Sequence, residues 1–395
     1  MKLAHLADVH LGFRQYHRLT ANGINQREAD VASAFRNVIE GVIAAAPDLV
    51  IIAGDLFNSV RPSNPAILHS FNLLRRLRSE LPDAPVILIA GNHDTPRSVE
   101  TGTILRLFEA VGGVHVVSDG VRDLVFEHLD CAVTCVPHMA WVSGARPTLT
   151  PPKGTKYRVL VTHGEVAGVL PRDAWALEYG GALLEPSELR ADEWDYVALG
   201  HYHVAHQVAE NAWYSGALEY VSSNPWGEVE DEAREGREGE KGWLLVQLGR
   251  RRRVTLQAVP VPRRPISLPP IHAAGLSAAE VDARIREHVD ELPHGVDDQI
   301  VRQVIHEIPR PVARDLDYTL IRELKAHALH FHVDTRRPAS RREIGVAAPG
   351  TRQTLAEIVT DYLSRRLLDG DVDRDRLVAL GQRYMSDVEQ ALREE

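Results

Sequence analysis

Five short apolar runs of strand type, each ending in a small polar motif, constrain this chain more than any other feature. They are KLAHLA before Asp8, DLVIIA before Gly54, PVILIA before Gly91, RVLVT before His163 and DYVALG before His201. Helix-period stretches lie between the early ones. Ala29 to Ala46 and Pro65 to Leu81 carry apolar residues at helical spacing, the second with Leu68, Phe71, Leu74 and Leu77 as a stripe. Strand, polar motif and helix in alternation predict an α/β domain. The stripe is expected to face the core, with a dimer face as its other use.

Ligands of open α/β sheets collect at the carboxyl ends of strands. The five motifs therefore point to one place: Asp8-Val9-His10, Gly54-Asp55, Gly91-Asn92-His93-Asp94, Thr162-His163-Gly164 and Gly200-His201-Tyr202-His203. In extended backbone the pairs Asp8/His10 and His201/His203 each present both side chains on one side. Carboxylate oxygen combined with neutral imidazole suits borderline divalent ions such as manganese, iron or zinc better than calcium. Two such ions roughly 3.5–4 Å apart can bridge a phosphate, polarise it and activate a water for in-line attack. Asp55 is the candidate bridging carboxylate. Gly54, Gly91, Gly164 and Gly200 allow sharp turns at strand ends and leave room near a ligand. One such motif is a weak signal, and five in this order a strong one.

The set D-x-H, G-D, G-N-H-D, H and G-H-x-H resembles the calcineurin-like metallophosphoesterases over roughly residues 1 to 260. Within them, HLADVHLGFRQYHR, AGDLFNSVRPS, LGHYH and KGWLLVQL followed by RRPI look like the SbcD nuclease family, related to the meiotic-recombination-eleven nucleases. The resemblance implies a two-sheet metallophosphoesterase sandwich flanked by helices over 1–262, a small α+β capping domain over 263–345, and a helical, partner-binding C-terminal tail over 346–395. It implies one metal on Asp8, His10, Asp55 and His203 and another on Asp55, Asn92, His163 and His201, the pair being two divalent ions of manganese type. His93 is then the catalytic histidine, a general acid toward the phosphate or leaving oxygen. Asp94 would orient His93, or hold a turn. The expected activity is exonuclease and endonuclease cleavage of DNA at double-strand breaks, as a homodimer joined with an SbcC-type coiled-coil ATPase in a heterotetramer. Other activities for the same motifs are a phosphatase or small-molecule phosphodiesterase, or a non-catalytic scaffold at DNA ends. The chain departs from many relatives at Asn58, where they carry a histidine, which opens the balance of exonuclease and endonuclease cutting. Tyr16 and His17 stand where the family's first loop passes the site.

Composition fits this picture. The 395 residues exceed what one hydrophobic core holds, and 44% hydrophobic with 25% charged residues is an ordinary globular balance. A formal charge of −10 argues against coating nucleic acid by bulk electrostatics, but carboxylates that hold cations change the local sign. Two cysteines, Cys131 and Cys135, are too few for a disulfide framework and indicate buried structural thiols and a cytoplasmic location. MKLAHLADVH lacks the apolar core of a signal peptide, and no run reaches membrane-spanning length. The Pro-rich PVPRRPISLPP marks a boundary, after which SAAEVDARIREHV and DYTLIRELKAH read as helices, and DQIVRQVIH and ALHFHVD as strands. A polar link through Gly350 precedes a tail in which DGDVDRD separates two helices. EVEDEAREGREGEK, residues 228 to 241, is expected to be a solvated mobile loop, and Arg250 to Arg253 a solvated hairpin tip. His5, His138, His206, His330 and His332 are expected to be structural.

Overall fold

A computed structural model describes residues 1–96, 102–168, 180–338, 355–365 and 373–394. Its centre is two six-stranded sheets. The first runs in the order Arg253–Ala258, Gly242–Gln247, Lys2–Leu6, Leu49–Ile52, Val86–Ile89, Val114–Val117, the last four parallel. The second runs His206–Ala209, Ala212–Tyr214, Tyr196–Gly200, Tyr157–His163, Cys131–Val136, Arg122–Phe126.

Both faces of the central strands are apolar, and period-two alternation sorts them into different cores. Leu3, Leu49, Ile51, Ile87 and Ile89 turn toward the second sheet and meet Val133, Val159, Val161 and Ala198. Ala4, Leu6, Val50, Ile52 and Leu88 turn outward against Phe35, Val38, Val42, Leu74 and Leu77 of the helices Gln26–Ala45 and Asn64–Glu80. A third core, with Trp141, Leu184, Leu189 and Trp194, covers the outer face of the second sheet. Cys131 and Cys135 lie in the inter-sheet core, where burial pushes the Cys131 thiol up to about 12 and Cys135 still further, so both stay protonated and structural.

The stripe read along the second helix is corrected at one end. Leu74 and Leu77 are buried and Phe71 is half-buried, but Leu68 is 62% exposed. Nine residues at about 100° each place it opposite Leu77, and the buried face instead uses Ala66, Ser70 and Leu73.

A second correction concerns residues 228 to 241. The expected solvated loop begins as the helix Pro225–Arg234, capped by Asn224, and Glu228, Asp231 and Glu232 point inward at no more than 1% exposure. Their spacing of three and four residues makes one acidic face. Lys241, equally buried, pairs with Glu228 and with Glu232 at 3.2 Å.

The capping segment has its own core and parallel sheet, with Ile266–Ser267, Ile271–His272 and His330–Thr335 around Ile300–His306 and the helices Ala278–Asp290 and Tyr318–His327 against it. Met1–Pro338 is nonetheless one compact unit. Arg18 donates to the carbonyls of Ala326, His327 and Ala328, Arg302 reaches Glu230 at 3.1 Å, and Trp226 packs with Ile300 and Leu329. The second unit, Ala339–Glu395, is described as the helices Leu355–Arg365 and Arg374–Glu394, with Gln382 Nε2 donating to Thr360 Oγ1 at 3.2 Å. Ile358, Tyr362, Leu380 and Tyr384 are exposed on it. The Gly350 link and most of DGDVDRD lie outside the described residues. No helix among the described residues is long and apolar enough to cross a membrane.

Arg27 ties the first helix to the chain beyond the second sheet. Fully buried, it donates to Asp30 at 2.8 Å, Glu219 at 2.9 Å and the Tyr220 carbonyl at 2.8 Å. Arg27→Met leaves the Glu219 carboxylate buried without its cation, and the expected loss is about 3–5 kcal/mol of stability, read as a lower denaturation midpoint. Adding Glu219→Gln should recover part of it.

Candidate metal centre

Ends of the parallel strands bring the five motifs together as their positions predict. Asp8 and His10 follow Lys2–Leu6, Asp55 follows Leu49–Ile52, Asn92 and His93 follow Val86–Ile89, His163 ends its strand, and His201 and His203 follow Tyr196–Gly200. Asp8, His10, Asp55, His163, His201 and His203 are all at most 1% exposed. Three ligand groups form among the described residues, Asp8/His10/His203, Asp55/His163/His201 and His10/Asp55/His93, each with its ligand atoms within 4.8 Å of one another. Asn92 joins the second group through Oδ1, 2.9 Å from His163 Nε2 and 3.1 Å from His201 Nδ1.

Hydrogen bonds hold these side chains from behind. His163 Nδ1 donates to the Ala53 carbonyl at 2.9 Å, which leaves Nε2 as the nitrogen that could serve a metal. Both oxygens of Asp8 accept from the His201 N–H at 3.0 Å. Asp55 Oδ1 accepts from the His93 N–H at 2.9 Å, and Oδ2 lies 3.1 Å from His163 Nε2. Gly91 packs so closely on Asp55, and Gly200 on the Ala53 carbonyl, that a Cβ at either would collide.

Four of the gathered residues occupy backbone regions that L-residues rarely adopt: Asp8 and His10 at φ 52°, Asp55 at 51° and His201 at 112°. Each such conformation costs on the order of 1–3 kcal/mol and persists only where its surroundings enforce it. The N–H groups of Val9 and His10 both donate to the Asp55 carbonyl, which locks the first two motifs together.

The electrostatics suit cation binding. Burial alone would raise the Asp55 pKa, but His163, His10 and His93 outweigh it and hold the carboxyl well below the usual range. Burial likewise works against protonated His163, yet Asp55 and Asp8 win and push it up to about 9. A proton here thus stands in for the positive charge that the donor set is built to receive. Oxygen and imidazole donors, with no thiolate among them, fit divalent ions of the borderline class.

His93 stands beside this cluster, its ring 4.8 Å from that of His10. Its Nδ1 donates to the Asn58 carbonyl at 2.8 Å. Of the two parts expected of Asp94, its bonds describe the turn: its carboxylate accepts from the backbone N–H groups of Leu56, Phe57 and Gly91 and ties the Asp55 loop to the Asn92 loop. Burial and the charge of Asp55 push Asp94 up to about 7. Asp94 holds a turn, and the backbone at Asn58 orients His93.

His138, expected to be structural, lies beside the site. It lines a cavity of about 520 Å³ with Asn92, His93, Thr95, Met139 and Gly180, and burial followed by the nearby His163 lowers it to about 4. A lone histidine at the start of the short helix His138–Val142 carries no signal that would have placed it there. His5 bonds Tyr196, His206 bonds Glu235, and His330 stacks on Tyr16 at 4.0 Å. The arginine run lies at the far end of the sheets, since Gln247 pairs with Lys2, and it lines a shallow hollow with Tyr157, Asp195 and Glu210.

The calcineurin-like phosphoesterase family model matches residues 1–205, and this chain belongs to that family. It is a metal-dependent phosphoesterase. Relatives narrow the resemblance to the SbcD type read from the motifs. The DNA double-strand break repair protein Mre11 of Sulfolobus acidocaldarius is 25% identical over 381 residues, covering 92% of this chain and 90% of the relative. That of Methanocaldococcus jannaschii is 27% identical over 256 residues, 62% of each chain, and that of Methanococcus maripaludis 36% identical over 120 residues, 30% of each.

Proposed function

We propose that this chain is the nuclease subunit of a DNA double-strand-break repair complex, hydrolysing phosphodiester bonds with two divalent ions, manganese in type. The observation that carries this is the convergence of five motifs on Asp55, with His93 beside it. Asp8, His10, Asp55 and His203 would hold one ion, and Asp55, Asn92, His163 and His201 the other. When bound, such a pair stabilises the charge on a phosphate and supplies an activated water. Ala53 fixes the tautomer of His163, and Asp94 fixes the loops that carry Asp55 and Asn92. A carbonyl only accepts, so His93 Nδ1 keeps its hydrogen and Nε2 is where a proton is given to the leaving oxygen.

Residues 1–262 form the nuclease domain in this reading, 263–345 the cap and 346–395 the partner-binding tail. Exposed Ile358, Tyr362, Leu380 and Tyr384 suit the last as a face for an SbcC-type coiled-coil ATPase. The assembly is a homodimer carrying two ATPase subunits, in the cytoplasm.

Purified protein with Mn²⁺ should cut end-labelled duplex and single-stranded DNA, and EDTA should abolish the cutting. Hydrolysis of an aryl phosphodiester with no cutting of DNA, even with the ATPase added, would favour a small-molecule phosphodiesterase. Tight DNA binding without any hydrolysis would leave a scaffold.

A further inference from the structure

The buried cluster behind His203 is a charged group that the chemistry above does not use. Lys241 stands just before the strand Gly242–Gln247, and its side chain is 2% exposed. Its ammonium contacts Glu228, lies 3.2 Å from Glu232, and donates to the backbone carbonyl of His203 at 2.9 Å. Glu232 also accepts from the Tyr220 hydroxyl at 2.8 Å and the Gly239 N–H at 2.9 Å, and Glu228 from the Ser222 N–H at 3.3 Å. Burial by itself would strip the proton from Lys241, but the two carboxylates outweigh it and hold the ammonium charged.

Burying three charges to join a helix to a strand is a poor route to stability, because apolar side chains of the same volume do as well or better. What apolar side chains would not supply is a donor to the His203 carbonyl. The ladder between Tyr196–Gly200 and its neighbours ends at Gly200, so His201 and His203 stand beyond the regular pairing. The His203 carbonyl is held instead by the Ala217 N–H, which donates at 3.0 Å, and by Lys241. Two residues earlier His201 holds φ 112°, a conformation that relaxes unless the segment is fixed on both sides.

We propose that Lys241, held by Glu228 and Glu232, is a positioning residue of the metal centre that fixes the backbone of His203 so that its imidazole meets the ion shared with Asp8 and His10. This rests on the two-metal reading above. Outer partners of metal ligands typically set metal affinity within about 10–100-fold.

The test is calorimetric titration of the metal-free full chain with Mn²⁺, beside thermal melting, for the wild type, Lys241→Met, and Lys241→Met with Glu228→Gln. The double variant removes a charge of each sign and guards against simple misfolding. The expected result is folded protein in which one of two Mn²⁺ sites weakens about 10–100-fold while the other changes little. Folded variants that bind both ions as the wild type does would overturn the proposal and make the cluster a structural brace, as would failure of both variants to fold. A wild type that binds no Mn²⁺ would instead sink the metal-centre reading itself.

Discussion

His93→Gln is expected to lower DNA cleavage by about 10²–10⁴-fold while both Mn²⁺ ions still bind, because a positioned general acid is worth about that much. Glutamine can still donate a side-chain hydrogen bond, so substrate binding and the local fold should survive, but it has no proton to transfer to a leaving oxygen. The backbone N–H of residue 93 keeps its bond to Asp55 Oδ1, and that bond does not depend on the side chain. Lost instead is the imidazole whose Nδ1 is pinned on the Asn58 carbonyl. Single-turnover cleavage together with Mn²⁺ titration separates the two effects. Full activity in the variant would remove His93 from the chemistry, and lost metal binding would make it a ligand, as its place in the group His10/Asp55/His93 allows. A diesterase substrate with an aryl leaving group, which departs without protonation, should lose much less than DNA does.

The polar motifs were legible because each is short and sits at a strand end, where topology leaves little choice of direction. Both helices beside the first sheet were legible from their helical period, while the caps that start them, Asn25 and Ser63, went unread. What failed was the assumption that charge means solvent. Glu228 and Glu232 look like a hydrated run until Lys241, the last residue of the same stretch, folds back opposite them just before the strand Gly242–Gln247. Leu68 failed for another reason: a tally of leucines ignores angle, and the helix wheel puts it opposite Leu77. For Asp94 the residue types left two parts open, because its partners are backbone N–H groups, of Gly91 in its own loop and of Leu56 and Phe57 in another, and a side chain's preference for backbone leaves no mark in residue types. The positive-φ residues of the site were equally hidden. Asp8, His10, Asp55 and His201 are strained only because their neighbours enforce it, and intrinsic propensity argues for other residues there.

Asp55→Ala is expected to abolish turnover by removing the carboxylate proposed to bridge the two ions. Two divalent cations about 3.5–4 Å apart repel strongly unless an anion lies between them. Without Asp55 the site should therefore take up one Mn²⁺ at most, against two in the wild type, by calorimetric titration. Two ions bound at unchanged affinity would end the bridging assignment. Alanine at φ 51° also carries backbone strain, so Asp55→Asn is the companion variant: it keeps the acceptor for the His93 N–H and removes only the charge. His163 gives a second readout in metal-free protein. Asp55, with a smaller part from Asp8, pushes it up to about 9 against a burial effect of opposite sign. With its pKa raised by these carboxylates, the metal-free ring favours its protonated form, and an ion that takes Nε2 displaces that proton, so loading of the site should strengthen as pH rises toward 9. In Asp55→Asn burial has the larger say, the ring should titrate well below 9, and the pH dependence of loading should flatten above neutrality. Histidine titration by NMR on the metal-free variant checks this directly, and an imidazolium that persists at pH 8 without Asp55 would mean that Asp8 supplies the charge the geometry assigns to Asp55.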